Sequence, residues 1–198
     1  GRAGISSFVA PVGEKPAWFA RVWERVAEEV RLGRQAFVVC PAIDAATEAD
    51  DEETPETEEP ARTRWGVVQA AALLAGHPDY RDIRVEILHG KMPGEEKDAV
   101  MQAFARGDID VLVATTVVEV GVDVPNASTM VILEADRFGV SQLHQLRGRV
   151  GRGSVPGLCL LVTEADPFTP ARQRVEAVAA TTDGFELAEV DLELRGEG

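Results

Sequence analysis

The chain has 198 residues, 45% of them hydrophobic, and a formal net charge of −14 from 20 Lys and Arg against 34 Asp and Glu. That length suits one substantial domain with a small appendage, and the apolar fraction is enough to bury a core. No apolar run is long enough to span a membrane and no secretory signal is present, so a cytoplasmic protein is expected, and the two isolated cysteines, Cys40 and Cys159, offer no metal-ligand spacing.

In chain order, residues 5–10 read as a short strand. Residues 15–32 form the clearest helix, with Phe19, Val22, Trp23, Val26 and Val30 on one face at helical spacing. Gly33 ends it, and residues 35–40 make an apolar strand stopped by Pro41. An acidic insertion follows at about 44–61. It holds nine acidic residues and no basic ones between Asp44 and Glu59, leaving only −5 for the rest of the chain. Its composition is too polar to pack, so a solvated loop is expected. Helices are expected at 62–75 and from the Met92-Pro93-Gly94-Glu95-Glu96 start onward, where proline and acids suit the first turn. Val100, Ala103 and Phe104 supply that helix's buried face. Strands are expected at 83–88, 110–114, 128–133 and 157–163, then a helix at 170–181 and a further helical stretch near 185–194. Short buried strands alternating with amphipathic helices imply an α/β fold, an open, mostly parallel sheet covered on both faces. Ligands of such sheets sit at the carboxyl ends of the strands.

The densest chemistry lies at residues 145–153, Gln-Leu-Arg-Gly-Arg-Val-Gly-Arg-Gly. Arginine presents a rigid fork of donors to phosphate oxygens, and glycine lets backbone approach such a ligand. Continued as a helix, the segment would place Gln145, Arg149 and Arg152 on one face and Leu143, Leu146 and Val150 on another. Arg137, Arg147, Arg149 and Arg152 form a local basic cluster, so the net charge does not exclude a nucleic-acid partner. Thr115 and Thr116 follow a strand, where hydroxyls and backbone amides can hold a phosphate or simply cap a turn. Gly121 and Asp123 open a tight loop, with Asp123 either a ribose acceptor or a turn former beside Pro125.

Together, residues 111–127 and 137–153 resemble the fifth and sixth motifs of superfamily 2 helicases, and the RecG-type branched-DNA helicases in particular. Residues 37–41 match that family's fourth motif, and Leu88-His89-Gly90-Lys91-Met92 matches the segment after it. Residues 183–196 match the start of its translocation element. The acidic insertion departs from the pattern.

This resemblance implies a RecA-like second motor domain at 1–182 and the beginning of a translocation element at 183–198. It implies arginine fingers at Arg149 and Arg152, with Gln145 coupling nucleotide to the interdomain cleft. Gly121 and Asp123 would lie near the ribose and phosphates. Thr115, Thr116, His89 and Gly90 would touch the DNA backbone. His144 and Arg147 would link the finger segment to the translocation element. ATP and Mg2+ would be held mainly by a first motor domain of the same polypeptide, which would also carry a wedge domain for branched double-stranded DNA. Within these 198 residues there is no Gly-x-x-x-x-Gly-Lys-Ser/Thr phosphate loop and no metal-holding acid motif. The expectation is therefore half of a catalytic site. Rival readings are a transcription-repair coupling translocase, a non-catalytic nucleotide or nucleic-acid binding module, and a flavodoxin-like ligand domain. The last leaves the three arginines unexplained.

Overall fold

Alternation of short apolar strands with amphipathic helices produces a three-layer α/β domain. The computed structural model describes residues 4–47, 63–116 and 123–180. Its strands are β1 (Ile5–Pro11), β2 (Gln35–Val39), β3 (Val85–Leu88), β4 (Val111–Ala114), β5 (Ala127–Ile132) and β6 (Gly157–Thr163). The α-helices of eight or more residues among the described residues are α1 (Ala17–Arg31), α2 (Val67–Ala75), α3 (Gly94–Ala105), α4 (Val140–Arg147) and α5 (Pro170–Ala180). All six strands join one sheet in the order β1-β6-β5-β2-β4-β3, and every pairing is parallel.

Side chains alternate across a strand, so each strand feeds two cores. Ala36, Val38, Val111, Val113, Val131 and Leu133 pack towards α1 and α2, against Trp23, Val26 and Leu74. Phe37, Leu112, Ala114, Met130, Ile132 and Leu161 pack towards the other helices, against Phe104, Leu143, Leu146, Val175 and Val178. Strands β2, β4 and β5 are buried at every position, as continuous apolar runs covered on both faces require. The α1 face expected from spacing is inward: Val22, Trp23 and Val26 are buried, with Phe19 and Val30 packed at its margin. After α1, Gly33 at φ 86° reverses the chain into β2. Both cysteines are free and buried, and burial pushes the Cys159 thiol up to about 12.

Most expected boundaries shift by one or two residues. The largest difference is the helix expected at 62–75, which begins at Val67. Gly66 is extended, with φ −112° and ψ 168°, and forms a parallel bridge to Ala42. Extended backbone there cannot also be helical, so residues 63–65 run as non-helical chain into it. The first residues of the acidic insertion are anchored rather than loose: Gln69 donates to Asp44 at 2.8 Å, and Ala45 N–H donates back to the Gln69 amide oxygen at 3.0 Å. The Gln69 hydrogen bond holds the Asp44 carboxyl below its usual range. Residues 48–62 and the stretch expected near 185–194 lie outside the described residues.

Candidate nucleotide and nucleic-acid sites

In a parallel α/β sheet each strand delivers the chain to the carboxyl edge, and each helix returns it to the amino edge. The candidate residues divide between these edges. His89 and Gly90 follow β3, and Thr115 and Thr116 follow β4, all at the carboxyl edge. Asp123 lies just before β5, and residues 148–156 connect α4 to β6, both at the amino edge. The expectation that ligands of such a sheet sit at the carboxyl ends of its strands therefore does not hold for the arginine segment, which lies at the amino edge. A six-residue strand such as β5 separates the two edges by roughly 17 Å.

The arginine segment starts as helix and then leaves it. Helix α4 ends at Arg147, with Gly148 as its cap. Gln145 is exposed on the helix, whereas Arg149 and Arg152 belong to the following loop. The single helical face expected for Gln145, Arg149 and Arg152 is therefore not formed. The apolar half of that expectation holds, with Leu143, Leu146 and Val150 all buried. Gly151, at φ 71°, closes the loop onto the sheet. A Cβ on it would meet Ile5 Cγ1 at 2.7 Å and the Gly4 carbonyl at 3.0 Å. A Cβ on Gly153 would lie 3.0 Å from the Pro125 carbonyl. The loop is thus pressed against the start of β1 and against the loop that contains Asp123.

Arg152 is held by two acceptors: its Nε donates to the Gly148 carbonyl at 2.8 Å, and its Nη1 donates to Asp123 Oδ1 at 3.1 Å. Arg149 is half-buried, its backbone N–H donating to Leu146 at 3.1 Å. Gly121 lies outside the described residues.

Arg147 departs from the exposed basic cluster expected for it. It is buried, donates to the Val178 carbonyl near the end of α5, and lies 3.0 Å from His144 Nδ1. Burial lowers its affinity for the proton. A guanidinium on the last carbonyls of a helix suits the negative end of that helix's dipole. Arg147 therefore ties the C-terminal end of α5 to the helix that leads into the arginine loop.

At the carboxyl edge, Thr115 and Thr116 are half-buried. The Thr115 amide is not free, because it donates to the Leu88 carbonyl at 3.3 Å; its hydroxyl is the group left for a phosphate. His89 Nδ1 accepts from Lys91 N–H at 3.2 Å. With Nδ1 accepting, the ring N–H is on Nε2, a donor suited to an anionic oxygen.

A cavity of about 220 Å³ lies at the carboxyl ends of β1, β5 and β6, lined by Phe19, Trp65, Glu134, Asp136 and Glu164 among others. None of the site residues expected from the sequence lines it, and its carboxylates would repel phosphate. Glu134 stands there at φ 49°, a left-handed conformation unusual for Glu, and accepts from Trp65 N–H at 2.7 Å. Sequence reasoning had singled out neither Glu134 nor the Arg152–Asp123 contact. The second was within reach, since an acid just before one strand and an arginine just before another share the amino edge.

Comparison with known proteins follows the same lines. Residues 60–154 match the helicase conserved C-terminal domain. The chain is 50% identical over its whole length to ATP-dependent DNA helicase RecG of Mycobacterium bovis, of which it spans 26%. The Mycobacterium leprae protein of that name is 51% identical over 100% of the chain, and that of Staphylococcus epidermidis 44% over 95%. The chain thus spans about a quarter of the length of these curated relatives. A solved structure of RecG bound to a three-way DNA junction superposes with a TM-score of 0.75 at 38% identity, covering 100% of this chain and 23% of that one. Yeast Dbp5 bound to RNA and ADP BeF3 superposes at 0.59 with 16% identity over 99% of this chain and 46% of that one, a likeness of fold alone. The chain belongs to the RecG-type family of superfamily 2 DNA helicases and corresponds to the second, C-terminal RecA-like motor domain of that family.

Proposed function

We propose that this domain works within an ATP-dependent DNA helicase or translocase that remodels branched double-stranded DNA, such as stalled forks and Holliday junctions, in recombination and repair. Its amino edge would face a nucleotide held by a first motor domain, and its carboxyl edge would face DNA. The observation that carries this reading is the division of the candidates between two edges, with Arg149 and Arg152 on one side and Thr115, Thr116, His89 and Gly90 on the other. A motor needs both contacts on one rigid body, because movement of the nucleotide-facing edge then moves the DNA-facing one.

In this reading Arg149 and Arg152 are arginine fingers, neutralising charge that develops on the transferred phosphoryl group. Gln145 faces the same interdomain cleft, and Gly121 and Asp123 lie near the ribose and phosphates. ATP, with Mg2+, supplies the phosphoryl group and is held mainly by the first motor domain. His144 and Arg147 tie the finger helix to α5, which continues towards the translocation element at 183–198. A wedge domain elsewhere in the polypeptide would supply preference for branched DNA.

The test is Arg149→Ala in the full-length protein. Fingers of this kind contribute ~10³ to 10⁵ in rate, so DNA-stimulated hydrolysis should collapse by at least about 10³. Binding of a non-hydrolysable ATP analogue should persist. Unchanged turnover would overturn the finger assignment.

A further inference from the structure

Asp123 and Arg152 suggest a more specific role for the acid than a ribose contact. A guanidinium has five N–H donors in a fixed plane. In Arg152 one is given to the Gly148 carbonyl and one to Asp123 Oδ1, which restrains the plane of the group and leaves three N–H donors uncommitted by these two bonds, both of those on Nη2 among them. Charge-assisted N–H donors of this kind suit the oxygens of a phosphate. The two loops are also locked to each other one residue further along, where Gly153 approaches Pro125 so closely that a Cβ would lie 3.0 Å from its carbonyl.

The pair has little to do with stability. Asp123 is 59% exposed and Arg152 36%, and exposed ion pairs contribute little to folding. What the contact does is remove rotamers from a long side chain that must meet a phosphoryl group in one orientation.

We infer that Asp123 is a positioning residue for Arg152, which together with the Gly148 carbonyl aims the arginine's free edge at the phosphoryl group. This inference rests on Arg152 being a finger. Anchored at two points before nucleotide arrives, Arg152 loses little further freedom when it engages.

The test is a series in the full-length protein. Asp123→Ala removes the acceptor, and its kcat for DNA-stimulated ATP hydrolysis falls about 10- to 100-fold, the scale of a misaligned catalytic group. KM for ATP and affinity for a non-hydrolysable ATP analogue stay within about twofold, since a carboxylate committed to Arg152 is near the ribose without being a substrate contact itself. Asp123→Asn keeps an oxygen acceptor and recovers part of the loss. In an Arg152→Ala background the Asp123→Ala change has almost no further effect, because groups acting as a unit are non-additive.

Additive losses overturn the inference. So does an Asp123→Ala protein whose kcat is intact but which no longer prefers ATP over 3′-deoxy-ATP, which would make Asp123 a ribose ligand. Impaired turnover in Arg152→Ala with normal turnover in Asp123→Ala would overturn the positioning role alone. Unchanged turnover in Arg152→Ala would overturn the finger role beneath it.

Discussion

Glu134 sits where β5 ends, with 13% of its side chain exposed and a backbone φ of 49°. Its carboxylate accepts the Trp65 N–H and lies 3.7 Å from an Arg137 nitrogen. Even so, burial outweighs both and pushes the Glu134 pKa above the usual carboxylate range. A raised carboxyl pKa means that the fold prefers the protonated form. Below about pH 4, near the unfolded value, the group is protonated in both states and costs nothing. As pH rises through the folded pKa, ionisation removes that advantage, so this residue lowers stability at neutral pH. Glu134→Gln keeps an oxygen for Trp65 N–H and removes the charge. The variant should melt above the wild type at pH 7 to 8, and the difference should vanish towards pH 4. An equal or lower melting temperature at pH 7.5 would show that the ion pair with Arg137 outweighs burial after all.

The elements themselves were largely legible in the chain. Strand β6 spans the residues expected of it, and α1 buries the face its spacing dictates, because continuous apolar runs and helical periodicity are local signals. The start of α2 was not legible, since Gly66 is drawn into extended conformation by pairing with Ala42, a contact 24 positions away in sequence. The arginine segment was legible in chemistry but not in shape. A helix continued through residue 152 would have given Gln145, Arg149 and Arg152 one face, yet the chain must leave α4 to reach β6 by residue 157. Its edge was recoverable by logic, since a helix-to-strand connection in a parallel sheet always lies at the amino ends. How the loop is held predicts how it breaks. Gly148 has φ −66°, and a Cβ there would meet nothing closer than the Gln145 carbonyl at 3.4 Å. Gly151 has φ 71° and no room. Gly148→Ala should therefore change stability by less than about 1 kcal/mol. Gly151→Ala should cost about 2 to 4 kcal/mol from left-handed backbone plus overpacking against Ile5. Denaturant midpoints of the two variants decide the matter. Equal losses would mean that the contacts of Gly151 do not hold the loop.

At the scale of the whole molecule, the two candidate edges share one sheet, and in the proposed reading each meets a different ligand. These 198 residues contain no phosphate loop, so in the proposed reading the nucleotide that the amino-edge arginines serve is held by another part of the polypeptide. In the same reading the carboxyl edge offers DNA two threonines and a histidine, on a chain of net charge −14. Phosphate contacts made by hydroxyls release few counterions, so in that reading the electrostatic share of affinity is correspondingly small. The single six-stranded sheet nonetheless carries an apolar core on each face, so the chain has what it needs to fold alone. The isolated 198-residue chain should therefore melt cooperatively, yet release no phosphate from ATP above background, with or without branched DNA, and unwind no duplex. Its affinity for a three-way junction should be weak at 150 mM salt. The measurements are a calorimetric scan, phosphate release, strand separation and a titration of labelled junction. DNA-stimulated phosphate release by the folded isolated chain would contradict the division of the catalytic site between two motor domains. A chain that folds and stays silent, in contrast to an active full-length protein, is what that division requires.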